Sequence, residues 1–324
     1  VQKTKIEWCD ATWNPVTGCL HGCAYCYARR IAERFSGRTV EGKISRCGSW
    51  GKNTVELDEP FMLTRKDSKT VKAPFPFGFR PTLHRYRLDE PYQRRGQNIF
   101  VCSMADLFGE WVPDEWIEEV MKACLLSPQH RYLFLTKNPG RYMKLAEAGK
   151  LPERDNFWYG SSTPTPDAPF WCSEHHNTFV SIEPMMDEFP SAGDCSVKKV
   201  GWIIMGAMTG PGSKAYQPKK EWVESLVEDA MASVVPVFMK DSLLPIVGEA
   251  GMPGIALGSP ERGVRWKQKG STRPKNLIGG VSTVFTGTGE QRLGDMIFAL
   301  LQAAKGFITG TAANTLRGLW TSSI

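Results

Sequence analysis

The residues with the clearest capacity for chemistry lie in one short run, Cys19-Leu-His-Gly-Cys23-Ala-Tyr-Cys26. The spacing is C-x3-C-x2-C, with an aromatic residue, Tyr25, immediately before the third cysteine. Three thiolates on one loop can bind three irons of a cubane cluster and leave the fourth iron open, and an open iron is where chemistry enters. Zinc also takes thiolates, and Cys9 or His21 would complete a tetrahedral set around it. Structural zinc sites usually pair a C-x2-C knuckle with a second one downstream, whereas Cys47, Cys102, Cys124, Cys172 and Cys195 are widely dispersed. The loop therefore reads as the ligand set of one [4Fe-4S] cluster, with a zinc site as the rival.

Elements able to position such a loop follow in alternation, the signature of a parallel sheet with crossover helices. A strand is expected around 11–17, then the cysteine loop, then a helix over about 24–35. Residues 36–97 carry Gly, Pro and basic clusters, with one strand-like run near 60–64, and read as a long insertion. Beyond it, strands are expected at 98–103 (NIFVCS), 131–136 (RYLFLT), 157–161 (FWYGS), 177–182 (NTFVSI), 200–206 (VGWIIMG) and 235–239 (VPVFM). Helices are expected at about 113–126, 139–148 and 219–233; the first opens with Pro113 and Asp114, and the last carries Trp222, Leu226, Val227 and Ala230 at helical spacing. With the first, that makes seven strands, enough for a partial or complete barrel. After about residue 248 the texture changes to Gly, Ser, Thr and Pro, with a basic run over 262–275 and one amphipathic helix expected over about 291–305.

The composition, 41% hydrophobic and 23% charged over 324 residues, is that of a globular chain rather than a disordered one. No stretch approaches the ~18 apolar residues of a membrane-spanning helix, and the first thirty residues contain no signal-peptide apolar core. A cytoplasmic location is the expectation. Nine cysteines in such a chain are better used as metal ligands than as a disulfide framework. The formal charge of +6, from 40 basic and 34 acidic residues, permits a polyanionic partner without requiring one. Arg80, His84, Arg85, Arg87, Arg94 and Arg95 fall in one stretch interleaved with Tyr86 and Tyr92, the composition of a single-strand nucleic-acid surface and equally that of a solvated loop and helix.

The cysteine loop resembles the C-x3-C-x-aromatic-C motif of the radical S-adenosylmethionine superfamily, at the end of the first strand of a β/α chain, where that superfamily places it. More narrowly, TKIEW, ATWNPVTGC, VCSMADLF, YLFLTKNPGRY, VSIEP and PVFMKDSL, within residues 4 to about 248, resemble an uncharacterised phage and bacterial branch similar to spore photoproduct lyase. The resemblance implies an α/β fold: a partial (βα)6-type TIM barrel over 1–248, with 249–324 as a C-terminal extension. It implies a [4Fe-4S] cluster on Cys19, Cys23 and Cys26 and S-adenosyl-L-methionine as cofactor. In that reaction logic one electron cleaves the cofactor's carbon-sulfur bond, giving methionine and a 5′-deoxyadenosyl radical that abstracts hydrogen from substrate. The implied partners are an electron donor such as flavodoxin or ferredoxin, and a nucleic-acid or nucleotide-like substrate meeting the Arg80–Arg95 stretch. Modification of a peptide or small metabolite, and a zinc-stabilised nucleic-acid-binding protein without catalysis, are the alternatives.

Functional residues in a parallel barrel gather where strands end, so the strand ends nominate further contacts. Tyr25 is a cofactor contact within the loop itself. Ser103 and Asp106 stand where the superfamily usually carries a Gly-Gly-Glu-like segment; the glycine pair is absent here, and both residues are equally suited to capping the next helix. Lys137 suits a carboxylate or phosphate, and Ser161, Ser162 and Thr163 stand at the level of ribose hydroxyls. Glu183 ends an apolar strand, where a carboxylate needs a partner, and reads as a ribose or substrate contact. Gly206 ends a strand resembling the one that offers backbone to adenine. Lys240 and Asp241 close the last strand, as substrate or proton-transfer groups or as an ion pair. Cys102 is a hydrogen-atom donor if it faces the cavity and core filler if it does not.

Overall fold

The central strands are apolar at successive positions, as in RYLFLT, and such strands must be covered on both faces. A computed structural model describes residues 1–36, 53–64, 68–190, 196–210 and 212–248. Its first part runs β1 (Gln2–Lys3), β2 (Ala11–Trp13), β3 (Val16–Thr17), α1 (Tyr27–Phe35), β4 (Val55–Leu57), β5 (Met62–Thr64), β6 (Thr70–Lys72) and β7 (Thr82–His84). The second part runs β8 (Asn98–Val101), α2 (Asp114–Leu125), β9 (Arg131–Thr136), α3 (Gly140–Glu147), β10 (Phe157–Ser162) and β11 (Asn177–Ile182). It closes with β12 (Ile203–Met205), α4 (Lys220–Ala232), β13 (Val237–Met239) and α5 (Leu244–Val247). The expected basic run at 262–275 and helix at 291–305 lie outside the described residues, as do Cys47 and Cys195.

One eight-stranded sheet has the order β1-β2-β8-β9-β10-β11-β12-β13. β1 is antiparallel to β2, and every later neighbouring pair is parallel. The expected (βα)6-type TIM barrel is overturned by this topology. The sheet is open, with β1 at one edge and β13 at the other, and among the described residues no strand pair closes it. Helices are also too few: α2, α3 and α4 follow β8, β9 and β12, but no α-helix lies in the described parts of the β10–β11 and β11–β12 connections. Pro164, Pro166 and Pro169 break the first of these and Pro184 and Pro190 the second, since an internal proline removes a helix donor and clashes with the preceding turn.

Alternation along the strands separates two cores. On one face Trp13, Ile99, Val101, Tyr132, Phe134, Phe157 and Tyr159 pack with α2 residues Trp116, Ile117 and Val120, and Val180, Ile203 and Met205 pack with Val223, Leu226 and Ala230 of α4. On the other face Phe100, Leu133, Trp158, Phe179, Ile204 and Phe238 gather around Trp8, in the segment leading into β2. Trp8 is 4% exposed and lies 4.6 Å from the Phe100 ring. The insertion supplies β4 and β7, which join β3 in a small sheet of order β3-β7-β4, and a β5–β6 hairpin. Among the described residues no helix is long and apolar enough to cross a membrane.

Candidate functional site

The cysteine loop leaves β3 through Gly18, whose φ of +88° is the left-handed conformation that favours glycine. A Cβ there would stand 2.3 Å from the Arg80 carbonyl oxygen. The Gly18 N–H donates to Met104 O at 2.8 Å and the Cys19 N–H to Phe79 O at 3.2 Å, so the loop is anchored between β7 and the end of β8. The Cys26 N–H returns to Cys23 O at 3.2 Å, and Cys26 then caps α1, its Sγ accepting the Arg29 N–H at 3.3 Å. A helix N-terminus favours negative charge, so this position suits a thiolate.

The three thiols are free and half-buried. Burial pushes the Cys19 thiol up to about 12, the Asp106 carboxylate and the Cys23 and Cys26 thiols add to the rise, and a backbone N–H of His21 on the sulfur opposes it. Among the described residues no group of three or more His, Cys, Asp and Glu side chains is gathered closely enough to hold a metal ion. The donor chemistry nonetheless fits a thiolate-bound cluster: three unpaired thiols on one loop, two of them receiving backbone N–H groups, which stabilise charge on sulfur.

Each spacer between cysteines sends one side chain to a strand end. His21 Nε2 meets Asp106 Oδ2 at 2.7 Å. The same carboxylate accepts the Lys137 N–H at 2.9 Å and, through Oδ1, the Phe108 N–H at 3.0 Å. Asp106 is 5% exposed, and its acceptors are occupied by protein donors. Tyr25 Oη accepts from Lys137 Nζ at 3.0 Å, and Lys137 also donates to Ser162 Oγ at 2.9 Å. Tyr27, the first residue of α1, donates its hydroxyl to Ser103 O at 2.7 Å. Ser103 Oγ and the Met104 N–H both donate to Asn14 Oδ1.

Further along the sheet edge, Lys240 forms an ion pair with Glu183, the two side chains 15% and 29% exposed. Gly206 lets them approach, since a Cβ there would stand 3.0 Å from Lys240 Cδ and 3.2 Å from Glu183 Cγ. Glu7 accepts the Asp241 N–H at 2.7 Å. Burial raises the Glu7 carboxyl above its ordinary range, while the Asp241 N–H and the Lys240 charge oppose the shift. Tyr27 is 47% exposed, but its hydroxyl is turned in to Ser103 O, where burial first and then the Glu183 charge push it upward.

A model of the family described as "Protein of unknown function (DUF5131)" matches residues 3–243. The chain belongs to this family. The match takes in the cysteine loop, the strand ends from Asp106 to Lys240, and Glu7, so in this DUF5131 chain every group described so far lies inside the shared segment. Comparison with curated proteins and with solved structures returned no match.

Of the residues nominated from the DUF5131 sequence, Tyr25, Ser103, Asp106 and Lys137 join Cys19, Cys23 and Cys26 in one hydrogen-bonded group, and Glu183, Gly206, Lys240 and Asp241 form a second. Ser161 is 0% exposed and accepts the Trp171 N–H at 3.1 Å; its neighbour Ser162 is the one that meets Lys137. Thr163 is buried, with no partner for its hydroxyl among the described residues. Cys102 is 2% exposed in the core with Trp13, Val16 and Leu83, on the helix-covered side of the sheet. The Arg80–Arg95 stretch is largely used internally: Arg85 pairs with Glu56, Asp58 and Glu119, Arg87 donates to Asn14 O, and His84 is buried against Thr17. A different cationic and aromatic stripe lies open on α1, where Tyr27, Arg30, Ile31, Arg34 and Phe35 are all exposed at helical spacing.

Glu7, Asn14, His21 and Tyr27 are the site residues that reading the sequence missed as contacts. His21 and Tyr27 flank cysteines and carried a proximity signal; Glu7 and Asn14 carried none, because their partners lie about ninety or more positions away.

Proposed function

We propose that this protein is a radical S-adenosylmethionine enzyme whose Cys19, Cys23 and Cys26 hold a [4Fe-4S] cluster. The observation that carries the reading is the tethering of a C-x3-C-x-aromatic-C loop, through Tyr25, to Lys137 at the carboxyl edge of a parallel sheet. Ligands of open parallel sheets bind at that edge. When bound, the cluster supplies the single electron that breaks a carbon-sulfur bond of S-adenosylmethionine, whose adenosyl fragment then takes a hydrogen atom from substrate.

The chain's own residues orient and shield. Lys137 and Ser162 stand beside Tyr25 and offer a cation and a hydroxyl to a carboxylate or ribose. Gly206 keeps backbone close to the Glu183–Lys240 pair, and that pair offers the substrate a carboxylate and an ammonium. Trp8 and the apolar residues around it close the sheet face beneath this row and exclude water. The substrate in this reading is a nucleic acid or nucleotide-like molecule, now supported by the exposed arginines and rings of α1 rather than by Arg80–Arg95, since exposed rings stack bases and arginines meet phosphates.

The test is release of 5′-deoxyadenosine from S-adenosylmethionine by anaerobically reconstituted, reduced protein. The expected result is turnover in the wild type and none in Cys19→Ala, Cys23→Ala or Cys26→Ala. Zinc-loaded protein with no cleavage activity under these conditions would replace this reading with a metal-stabilised nucleic-acid-binding protein.

A further inference from the structure

We infer that His21 and Tyr25 are positioning residues that fasten the two spacers of the cysteine loop before any metal arrives. The inference rests on the cluster reading for its purpose, and on hydrogen bonds within the polypeptide for its geometry.

A loop that must present three sulfurs to one inorganic core has two segments free to move, the spacers between its cysteines. Each is fastened by one side chain. His21, in the Cys19–Cys23 spacer, is bonded to Asp106 at 2.7 Å and lies edge-on to the Trp111 ring, with centroids 4.8 Å apart. Tyr25, in the Cys23–Cys26 spacer, is bonded to Lys137 at 3.0 Å. The two fastenings share a base, because the Asp106 oxygen that meets His21 also accepts the Lys137 backbone N–H. Asp106 is buried and fully engaged, so it fixes the loop rather than reaching outward for a ligand. Outside the spacers, Gly18 and the Cys26 cap fix the two ends. A loop so fastened has fewer conformations to search before its sulfurs close on a metal, which favours assembly.

The experiment uses the full chain in metal-free form and, separately, after reconstitution. In the metal-free protein, amide hydrogen exchange across residues 18–26 is compared in wild type, His21→Ala, His21→Gln and Tyr25→Phe. One hydrogen bond to a charged group corresponds to roughly a tenfold change or more in local opening. His21→Ala is expected to speed exchange about tenfold in the Cys19–Cys23 segment with little change in the thermal midpoint, and Tyr25→Phe to do the same in the Cys23–Cys26 segment. His21→Gln, which keeps a donor, is expected to recover part of the protection. Iron bound at limiting iron is expected to fall in the same order, a readout that a merely structural contact would leave unmoved. Unchanged exchange in both segments, or iron occupancy equal in all variants that take up iron, would overturn the inference. If His21→Ala fails to fold, Tyr25→Phe alone decides it. Faster exchange in a protein that takes up no iron upholds the fastening and counts against the cluster reading instead, so the two fail separately.

Discussion

Gly18 and Gly22 flank Cys19 with the same kind of backbone, φ +88° and +70°, in very different surroundings. A Cβ on Gly18 would stand 2.3 Å from the Arg80 carbonyl oxygen and 2.7 Å from that of Phe79, both backbone atoms, whereas a Cβ on Gly22 meets nothing within 4 Å. Alanine at either position takes on the left-handed penalty of ~1 kcal/mol. Only Gly18→Ala must also push aside the chain entering β7, an overpacking term of ~2 kcal/mol. With ~2–4 °C per kcal/mol for a domain of this size, Gly18→Ala is expected to lower the melting temperature by about 6–12 °C and Gly22→Ala by about 2–4 °C. Circular dichroism melts of the metal-free variants measure this directly, and iron uptake on reconstitution is expected to fail first in Gly18→Ala, where the Cys19 anchor to Phe79 is displaced. Equal shifts for the two variants would refute the claim that Gly18 is held in contact with β7.

Lys240→Met leaves Glu183 without its cation and close to Glu7, and is expected to destabilise the fold by ~2 kcal/mol, with much of the loss recovered in Lys240→Met/Glu183→Gln; urea unfolding of the double-mutant cycle checks it. The raised Glu7 carboxyl holds its proton longer in the folded than in the unfolded state, so stability should fall as pH rises from the ordinary value of 4.5 through the higher folded value. Glu7→Gln, which keeps an acceptor for the Asp241 N–H, should remove that slope in a series of unfolding curves between acid and neutral pH. If α1 meets a single-stranded nucleic acid, Arg30→Ala/Arg34→Ala should weaken oligonucleotide binding in fluorescence anisotropy and reduce the salt slope by about 1.4, at ~0.7 per phosphate contact; an unchanged slope would point the substrate elsewhere.

Six of the seven expected strands are present as single strands, because runs such as RYLFLT and FWYGS are apolar on both faces and so announce burial without tertiary information, whereas the first, 11–17, is split into β2 and β3, which join different sheets. Four expected helices are present as α1 to α4 with ends shifted by up to three residues. What was not legible was how the strands close. The prolines at 164, 166 and 169 mark an irregular connection, but whether a sheet bends into a barrel depends on strand pairing that local pattern does not encode. The place of the cysteine loop in the chain, after the first strands and before the first helix, was legible. Its surroundings were not: His21 finds Asp106 across 85 positions, and Glu7 meets Asp241 across 234. The Arg80–Arg95 stretch misled for the same reason, since the acids that engage Arg85 stand at 56, 58 and 119.

The central claim is that the three cysteines hold a cluster with one open iron. Its most direct test is the electron paramagnetic resonance spectrum of anaerobically reconstituted, dithionite-reduced protein, recorded with and without S-adenosylmethionine, on samples of known iron, sulfide and zinc content. About four irons and four sulfides per chain, with a reduced-cluster signal that changes on adding S-adenosylmethionine and is lost in Cys23→Ala, is the predicted result. One zinc, no cluster signal and the same outcome in every cysteine variant would contradict it.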